Sequence, residues 1–430
     1  MKNKKFFLAL IVFSLVGQIA WVVENMYFNV FIYKMFNASA NDISLMVEAS
    51  AVAATLTTVF IGALSDRLGK RRIFMCLGYI LWGVSIMAFA FIRLDLISAA
   101  FGAAANASAV AVTAVIILDC VMTFFGSSAN DAAYNAWLTD RTDETNRGRA
   151  EGINSMMPLL AILVVFGGFM GFDLNRPESW TWIYVIIGAL VLVIGALGFF
   201  LVEDAPAKKP DELGYFKTIL YGFRPSVVKK NRGLYFTLAA FIVFGISIQI
   251  FMPYLIIYYE KTLGMSNYVL VFAPAIIGAA VVTALYGKVY DRKGFMYSLR
   301  PVVAALGLGY VLLYFFRATV PVFIGSLLML SGYLMGMSVF GAMIRDNIPE
   351  NRAGQFQGVR IIGQVFVPGL IGPAIGAAVL KNAQVIVNSD GTTSFLPDRS
   401  IWVASFAVLV LLCLMLFLTA RKLDKKPENV

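Results

Sequence analysis

Long apolar stretches separated by short polar ones run along the whole chain. An α-helix needs about 20 mainly apolar residues to cross the hydrocarbon layer of a bilayer. The pattern therefore predicts an all-α membrane protein of about twelve spanning helices. The spans are expected at 6–33, 43–64, 73–93, 109–138, 153–174, 180–202, 234–259, 267–289, 298–316, 320–345, 357–380 and 400–420.

A charged stretch divides the spans into two sets of six. We expect an N-terminal six-helix bundle over 1–202, a cytoplasmic linker over 203–233 and a C-terminal six-helix bundle over 234–430. The apolar run at the N-terminus follows three lysines and looks like a signal peptide, but it continues to about Met35. It is therefore predicted to be an uncleaved first helix.

Composition supports the membrane class, since 60% of the residues are hydrophobic and only 14% are charged. The net charge of +10 comes from basic residues between apolar runs, which favours a membrane surface over nucleic acid. If the N-terminus is inside, 28 of the 35 Lys and Arg residues lie on that side. This bias predicts cytoplasmic termini in a plasma (inner) membrane.

No chemistry of an enzyme is visible in the sequence. The chain has no histidine, its three cysteines are isolated, and it has no Gly-rich phosphate loop. We therefore expect no metal, no cofactor, no ATP drive within the chain and no enzymatic activity. A membrane sensor, a remote alternative, would be expected to carry a soluble signalling domain, and the longest polar stretch is only a linker.

Two loop motifs recur in both halves. Gly62–Gly69 and Gly287–Gly294 both read G-x-x-x-D-R-x-G. A second set recurs at one constant offset of 206: Asp140, Glu144, Gly148 and Gly152 return as Asp346, Glu350, Gly354 and Gly358. The repeats indicate a duplicated six-helix unit, as in transporters built from parallel repeats.

These loops have two interpretations. Each is a tight turn with topogenic charge, or their charges form a latch that holds one conformation of an alternating-access cycle. The candidate latch residues are Asp66, Arg67, Gly69, Arg71, Asp140, Arg147, Asp291, Arg292, Asp346 and Arg352.

The segment Gly62–Arg72 resembles the signature loop between helices two and three of the major facilitator superfamily, and Gly287–Gly294 resembles its degenerate second copy. The resemblance covers nearly the whole chain. It implies the major facilitator fold of two six-helix bundles, a central cavity, transport by rocking and a monomer.

A narrower resemblance lies at Asn130–Leu138, which is similar to the helix-four segment of glycoside–pentoside–hexuronide:cation symporters. It implies sugar and cation binding by Asp131, and sugar contact by Glu24 in helix one. The helix-two aspartates, the helix-four proline and the helix-eleven lysine of that family are missing here, so its sodium coupling does not carry over directly.

Three carboxylates within predicted spans are the ion-coupling candidates: Glu24, Asp119 and Asp131. A carboxylate at mid-membrane is costly and normally faces a cavity or a partner. In an unbroken α-helix Asp119 and Asp131 lie about 18 Å and about 120° apart, so they should not share one ion. The alternative is a structural buried pair or a helix-end residue.

Polar side chains in the spans are the substrate candidates, because amides and tyrosines hydrogen-bond hydroxyl-rich ligands. Asn25 and Asn29 extend a polar stripe that starts at Gln18. The substrate-binding candidates are Gln18, Glu24, Asn25, Asp131, Tyr134, Gln249 and Tyr254. The alternative for each is interhelical hydrogen bonding.

The sequence thus predicts a secondary transporter working by alternating access. The favoured function is proton- or cation-coupled symport of a sugar or glycoside. The alternative is proton-coupled export of drugs, lipids or metabolites. The expected partners are a small-molecule substrate, a coupling proton or cation and the lipid bilayer.

Overall fold

The computed structural model describes residues 2–101, 106–142, 146–204, 220–348, 353–388 and 391–423. In these ranges the chain is helical apart from its connections and one two-stranded sheet, formed by β1 (Val385–Val387) and β2 (Thr393–Phe395). The predicted all-α class is confirmed. Two compact units are present, Met1–Ile219 with Ile386–Ser394, and Leu220–Val385 with Phe395–Val430.

In its described residues the first unit contains six long helices. Two of them change to π-helix part of the way along: α1 (Lys2–Val22, π-helical at Val23–Phe28, then Asn29–Phe36) and α4 (Ala107–Gly126, π-helical at Ser127–Tyr134, then Asn135–Arg141). The other four are α2 (Ala40–Leu68), α3 (Arg71–Ala88), α5 (Arg147–Phe169) and α6 (Pro177–Leu201).

The second unit has six more. Here α7 is broken near Pro253 (Arg232–Gln249, then Leu255–Ile257, then π-helical Tyr258–Thr262), and α11 has a π-helical middle (Ala353–Ile361, Ile362–Phe366, Val367–Val379). The others are α8 (Val269–Lys293), α9 (Phe295–Phe315), α10 (Thr319–Asn347) and α12 (Ser400–Leu423).

The helices match the predicted spans closely. In the described part of the chain, eleven are long and apolar enough to cross a membrane, and Ile153–Phe169 forms a shorter apolar helix. The span predicted over 153–174 therefore ends early, because the chain turns after Phe169 and Met170 and Gly171 begin the connection to α6.

Small residues let the helices of the first unit approach closely. A side chain at Gly83 of α3 would lie 2.5 Å from the carbonyl oxygen of Gly188 on α6. Close approach of this kind drives helix packing in membranes, where lipid is as apolar as the side chains. Buried rings at one end of α6 fill the space beside it, with Phe31 and Phe89 against Tyr184.

Candidate functional site

The side chain of Glu24 joins three helices of the first unit. Glu24 lies in the π-helical segment of α1 and is 8% exposed. Its Oε1 accepts hydrogen bonds from Ser50 of α2 (2.7 Å) and from Thr123 of α4 (2.9 Å), and the two hydroxyl groups lie 2.8 Å apart. Its Oε2 is buried and has no hydrogen-bond partner. π-helical turns are rare and frequently occur at functional sites.

A second carboxylate lies beside this cluster. Asp119 is one helical turn from Thr123, is 1% exposed, and interacts with both Glu24 and Ser50. Its Oδ1 also has no partner. Among the described residues, no lysine or arginine forms an ion pair with Glu24 or Asp119. Two buried carboxyl groups without a cation are costly unless a proton or a bound cation neutralises them.

The third carboxylate, Asp131, has different surroundings. It lies in the π-helical segment of α4, is half-exposed, and accepts a hydrogen bond from Ser127 (2.9 Å). Because the segment from Ser127 is π-helical, the angle of about 120° between Asp119 and Asp131, expected for an unbroken α-helix, does not apply. The neighbouring Asn130 is 3% exposed, and its Nδ2 has no partner.

A polar network surrounds Tyr134, also predicted to bind substrate. The Tyr134 side chain is 2% exposed. Its hydroxyl donates to Oδ1 of Asn154 (2.8 Å), and the same oxygen accepts from Ser14 (2.7 Å). The tyrosine therefore links α4 to α5 and α1 from inside the unit.

Polar residues of α1 and α4 also reach the surface of the first unit in the middle of the spans. Gln18 and Asp131 are half-exposed, and Asn25 and Asn135 are exposed. In hydrocarbon the amide and carboxylate oxygens of these side chains would have no hydrogen-bond donor, which indicates that this face meets water. Asn29, the last residue of the predicted stripe, is fully buried, and its Nδ2 donates to the carbonyl oxygen of Asn25 (3.0 Å).

In the second unit the two predicted substrate residues differ in burial. Gln249 is half-buried where α7 packs against Gly372 of α11. Tyr254 is fully buried, with its ring centre 6.1 Å from that of Phe395. Tyr254 does not reach a surface, and contact of either residue with substrate stays a prediction.

Arg71 and Asp140, both candidate latch residues, are in contact. Arg71 Nε lies 3.2 Å from Asp140 Oδ2, and its Nη1 donates to Ser65 (2.6 Å). Gly69 adopts a left-handed conformation (φ 62°), which the tight-turn interpretation requires. Arg67, Arg292 and Asp346 are exposed. The side chains of Asp66, Arg147 and Asp291, and the whole of Arg352, lie outside the described residues.

Sequence reasoning missed Glu203 in this region. Its carboxylate binds Lys5 (3.0 Å) and Arg141 (3.6 Å), and its carbonyl oxygen accepts from the indole of Trp137 (2.9 Å). The sequence could have indicated this role, because Glu203 is the first acidic residue after α6. The residue ties the end of α6 to α1 and α4.

Comparisons of the fold agree with this architecture. A single-residue mutant of the nucleoside transporter NupG superposes with a TM-score of 0.72 at 12% identity, covering 96% of this chain and 98% of that one. A bacterial homologue of the human lysosomal transporter Spinster, inward-facing and occupied, gives 0.71 at 16% identity and 99% of both chains. The xylose transporter XylE from E. coli gives 0.68 at 13% identity, covering 96% and 97%.

Fold and helix count thus define a multi-pass membrane protein with a fold that transporters share. Residues 6–373 match the Major Facilitator Superfamily, and the chain belongs to that family. The protein is also 30% identical over 166 residues to "Multidrug resistance protein MdtG" from Yersinia enterocolitica, a match that covers 37% of this chain and 39% of that relative. The narrower resemblance to glycoside–pentoside–hexuronide:cation symporters stays a prediction.

Proposed function

We propose that this transporter couples the import of a sugar or glycoside to the entry of a proton or cation by alternating access. The observation that carries the proposal is the pair Glu24 and Asp119, two buried carboxyl groups with unpartnered oxygens and no ion pair among the described residues. Buried carboxyl groups that serve only to stabilise a fold normally form an ion pair with a basic residue, or have all their oxygens hydrogen-bonded. In a site that takes up positive charge, the bound proton or cation supplies the neutralising partner that the protein itself does not provide.

The oxygen ligands suit either a proton or a hard cation. Ser50 and Thr123 both donate to one oxygen of Glu24, which fixes the carboxyl group and leaves the other oxygen available. Carboxylate and hydroxyl oxygens are ligands for small hard cations. Acidic or titratable neighbours of the pair are Asp131 beside Glu24, and Cys120 and Tyr184 beside Asp119.

The open polar face of the first unit is the proposed substrate surface. Gln18, Asn25 and Asp131 offer amide and carboxylate groups to the hydroxyl groups of a sugar. Asp131 would link the two functions, since it interacts with Glu24 and also lies half-exposed on this face. The xylose transporter with a similar fold lends general support to a sugar.

A second function is favoured by one specific observation, the partial match to a multidrug resistance protein. The same carboxyl pair would then drive export of a lipophilic compound against proton entry. The two functions differ in which compound triggers ion entry, and on which side of the membrane it must be added. A symporter admits ions when sugar is added outside, whereas an exporter admits them when a lipophilic compound is supplied inside.

The test is proton and sodium entry into liposomes that contain purified protein, challenged with a panel of sugars. We expect sugar-dependent ion entry in the wild type, and a loss of at least about tenfold in Glu24→Gln and Asp119→Asn, as for other essential proton-transfer groups. Neither variant should unfold at a lower temperature, because each removes an uncompensated buried charge.

The matched control is Glu48→Gln on α2, whose half-buried carboxylate accepts a hydrogen bond from Ser44 (2.5 Å). It should leave coupled entry unchanged. Ion entry without any response to sugars, together with efflux of lipophilic dyes, would move the assignment to the exporter. Wild-type coupling in both carboxyl variants would remove Glu24 and Asp119 from the mechanism.

A further inference from the structure

A cavity of about 630 Å³ lies at one end of the second unit. It is formed where several helices end or begin, between the last turns of α7, α9 and α11 and the first turns of α12. Thr262, Tyr314 and Gln384 contribute polar groups to its wall, and Val379 and Val403 contribute apolar ones. The cavity is separate from the carboxyl pair, which belongs to the first unit.

The charge of the cavity is positive. Arg317 and Arg399 both line it, and neither forms an ion pair within the part of the chain that the structure describes. The guanidinium group of Arg399 lies 5.9 Å from the centre of the Tyr314 ring. Asp398 is the acidic lining residue, and its Oδ1 accepts from the backbone N–H of Ser400 (2.8 Å), so it caps α12. Two arginines without carboxylate partners suit an anion with several oxygens.

The position of the cavity identifies the source of the anion. The apolar spans end at Thr262, Phe315 and Val379, and the last span begins at Ser400. All four boundaries meet at the cavity, which places it where the hydrocarbon layer gives way to lipid headgroups. Interfacial residues of this kind, Arg with Tyr, are typical of that level in the membrane.

One wall of the cavity continues into the lipid-facing surface. Val403 is 54% exposed and Ala407, one turn further along α12, is also exposed. Leu411 and Leu414 extend the same apolar surface and are 55% and 54% exposed. A small soluble anion would leave this apolar surface uncovered, whereas an acyl chain attached to the anion would bury it.

We propose that this cavity binds an anionic glycerophospholipid, with the phosphate between Arg317 and Arg399 and an acyl chain along the exposed face of α12. Each arginine near a membrane surface contributes attraction to anionic lipid, and the two together select it over a zwitterionic lipid. The inference does not depend on the substrate or the coupling ion.

The test uses purified full-length protein and native mass spectrometry. The probes are phosphatidylglycerol and phosphatidylcholine with identical acyl chains. We expect phosphatidylglycerol to bind more tightly, and its affinity to fall about fivefold in Arg317→Gln and in Arg399→Gln and further in the double variant. Lys381→Gln is the control, since this exposed lysine follows α11 but does not line the cavity. It should bind as the wild type does.

Equal affinity for the two lipids, or an unchanged affinity in the double variant, would overturn the proposal. A competition experiment with glycerol phosphate distinguishes a lipid site from a site for a free organophosphate. If millimolar glycerol phosphate displaces the lipid fully and binds equally well alone, the site takes a soluble anion and the lipid assignment is wrong. Lipid that stays bound in the presence of glycerol phosphate supports the lipid assignment. Arg317 is exposed, so its replacement should not disturb folding.

Discussion

Gly17 of α1 lies where two buried polar side chains come closest to the helix backbone. A side chain at this position would overlap the Asn130 amide and lie 2.5 Å from the Tyr79 hydroxyl. Tyr79 cannot move freely, because it donates to the carbonyl oxygen of Phe13 (2.7 Å). We expect Gly17→Ala to destabilise the protein by about 1–3 kcal/mol through overpacking, measured as a lower thermal unfolding midpoint in detergent.

The matched control for this substitution is Gly167→Ala on α5. A side chain there would meet nothing within 4 Å, so the unfolding midpoint should stay the same or rise slightly, since alanine favours helix. Equal effects at the two glycines would show that Asn130 and Tyr79 can move aside. Sugar-dependent ion entry measured in the same samples would then report whether their positions matter for transport.

Single residues were predicted unevenly from the sequence. Glu24 and Asp119 stand out because a carboxylate within an apolar run is rare. Their partners Ser50 and Thr123 do not stand out, since small hydroxyl residues are common in spanning helices. The electrostatic interaction between Glu24 and Asp119 depends on how α1, α2 and α4 pack, and no local pattern contains that information.

The π-helical segment of α4 needs hydrogen-bond donors beyond its own backbone. A shift of register leaves carbonyl groups to be satisfied by side chains or water. The Asn135 side chain supplies this by donating to the carbonyl oxygens of Asn130 (3.3 Å) and Asp131 (3.0 Å). We expect Asn135→Ala to lower stability by about 1 kcal/mol and, by letting Asp131 shift, to slow sugar-dependent ion entry severalfold.

Thr139→Ala, one turn further along the exposed side of α4, is the comparison. Its hydroxyl donates to the Asn135 carbonyl oxygen (2.9 Å) in a regular helical turn. Its loss should change stability by less than about 0.5 kcal/mol and leave transport intact. If both variants transport alike, the amide of Asn135 does not position Asp131. Thermal unfolding and ion-entry assays on the same preparations give both readouts.

Helices as units were predictable to within a few residues, because hydropathy depends only on composition along the chain. The exceptions have local causes. The span predicted over 153–174 ends at Phe169, and α1 turns π-helical at Val23, which hydropathy does not predict. A π-helical turn has no compositional signature as strong as a run of apolar residues.

The family and the fold of the whole chain follow from its repeats and loops, whereas substrate and direction depend on side chains that no repeat specifies. The signature loop Gly62–Gly69 was enough to indicate the superfamily, and the match over residues 6–373 confirms it. Polar residues such as Gln18 and Gln249 occupy comparable first helices of the two sets. Both are partly exposed, but Gln249 lies where α7 packs against α11, so sequence position alone does not define a substrate contact.

The orientation in the membrane is the property that the sequence predicts most directly for the whole chain. With 28 of 35 basic residues on the side of the N-terminus, that side should be cytoplasmic, because basic loops are retained inside.

Two exposed serines test this orientation as a matched pair, Ser226 between α6 and α7 and Ser266 between α7 and α8. In intact cells a membrane-impermeant maleimide should label Ser266→Cys, and Ser226→Cys should react only after permeabilisation. The three native cysteines lie within the helices, and the wild type measures their background. The opposite labelling pattern would show that the topology is inverted and that the proposed direction of symport is reversed. Labelling of both sites in intact cells would mean that α7 does not cross the membrane.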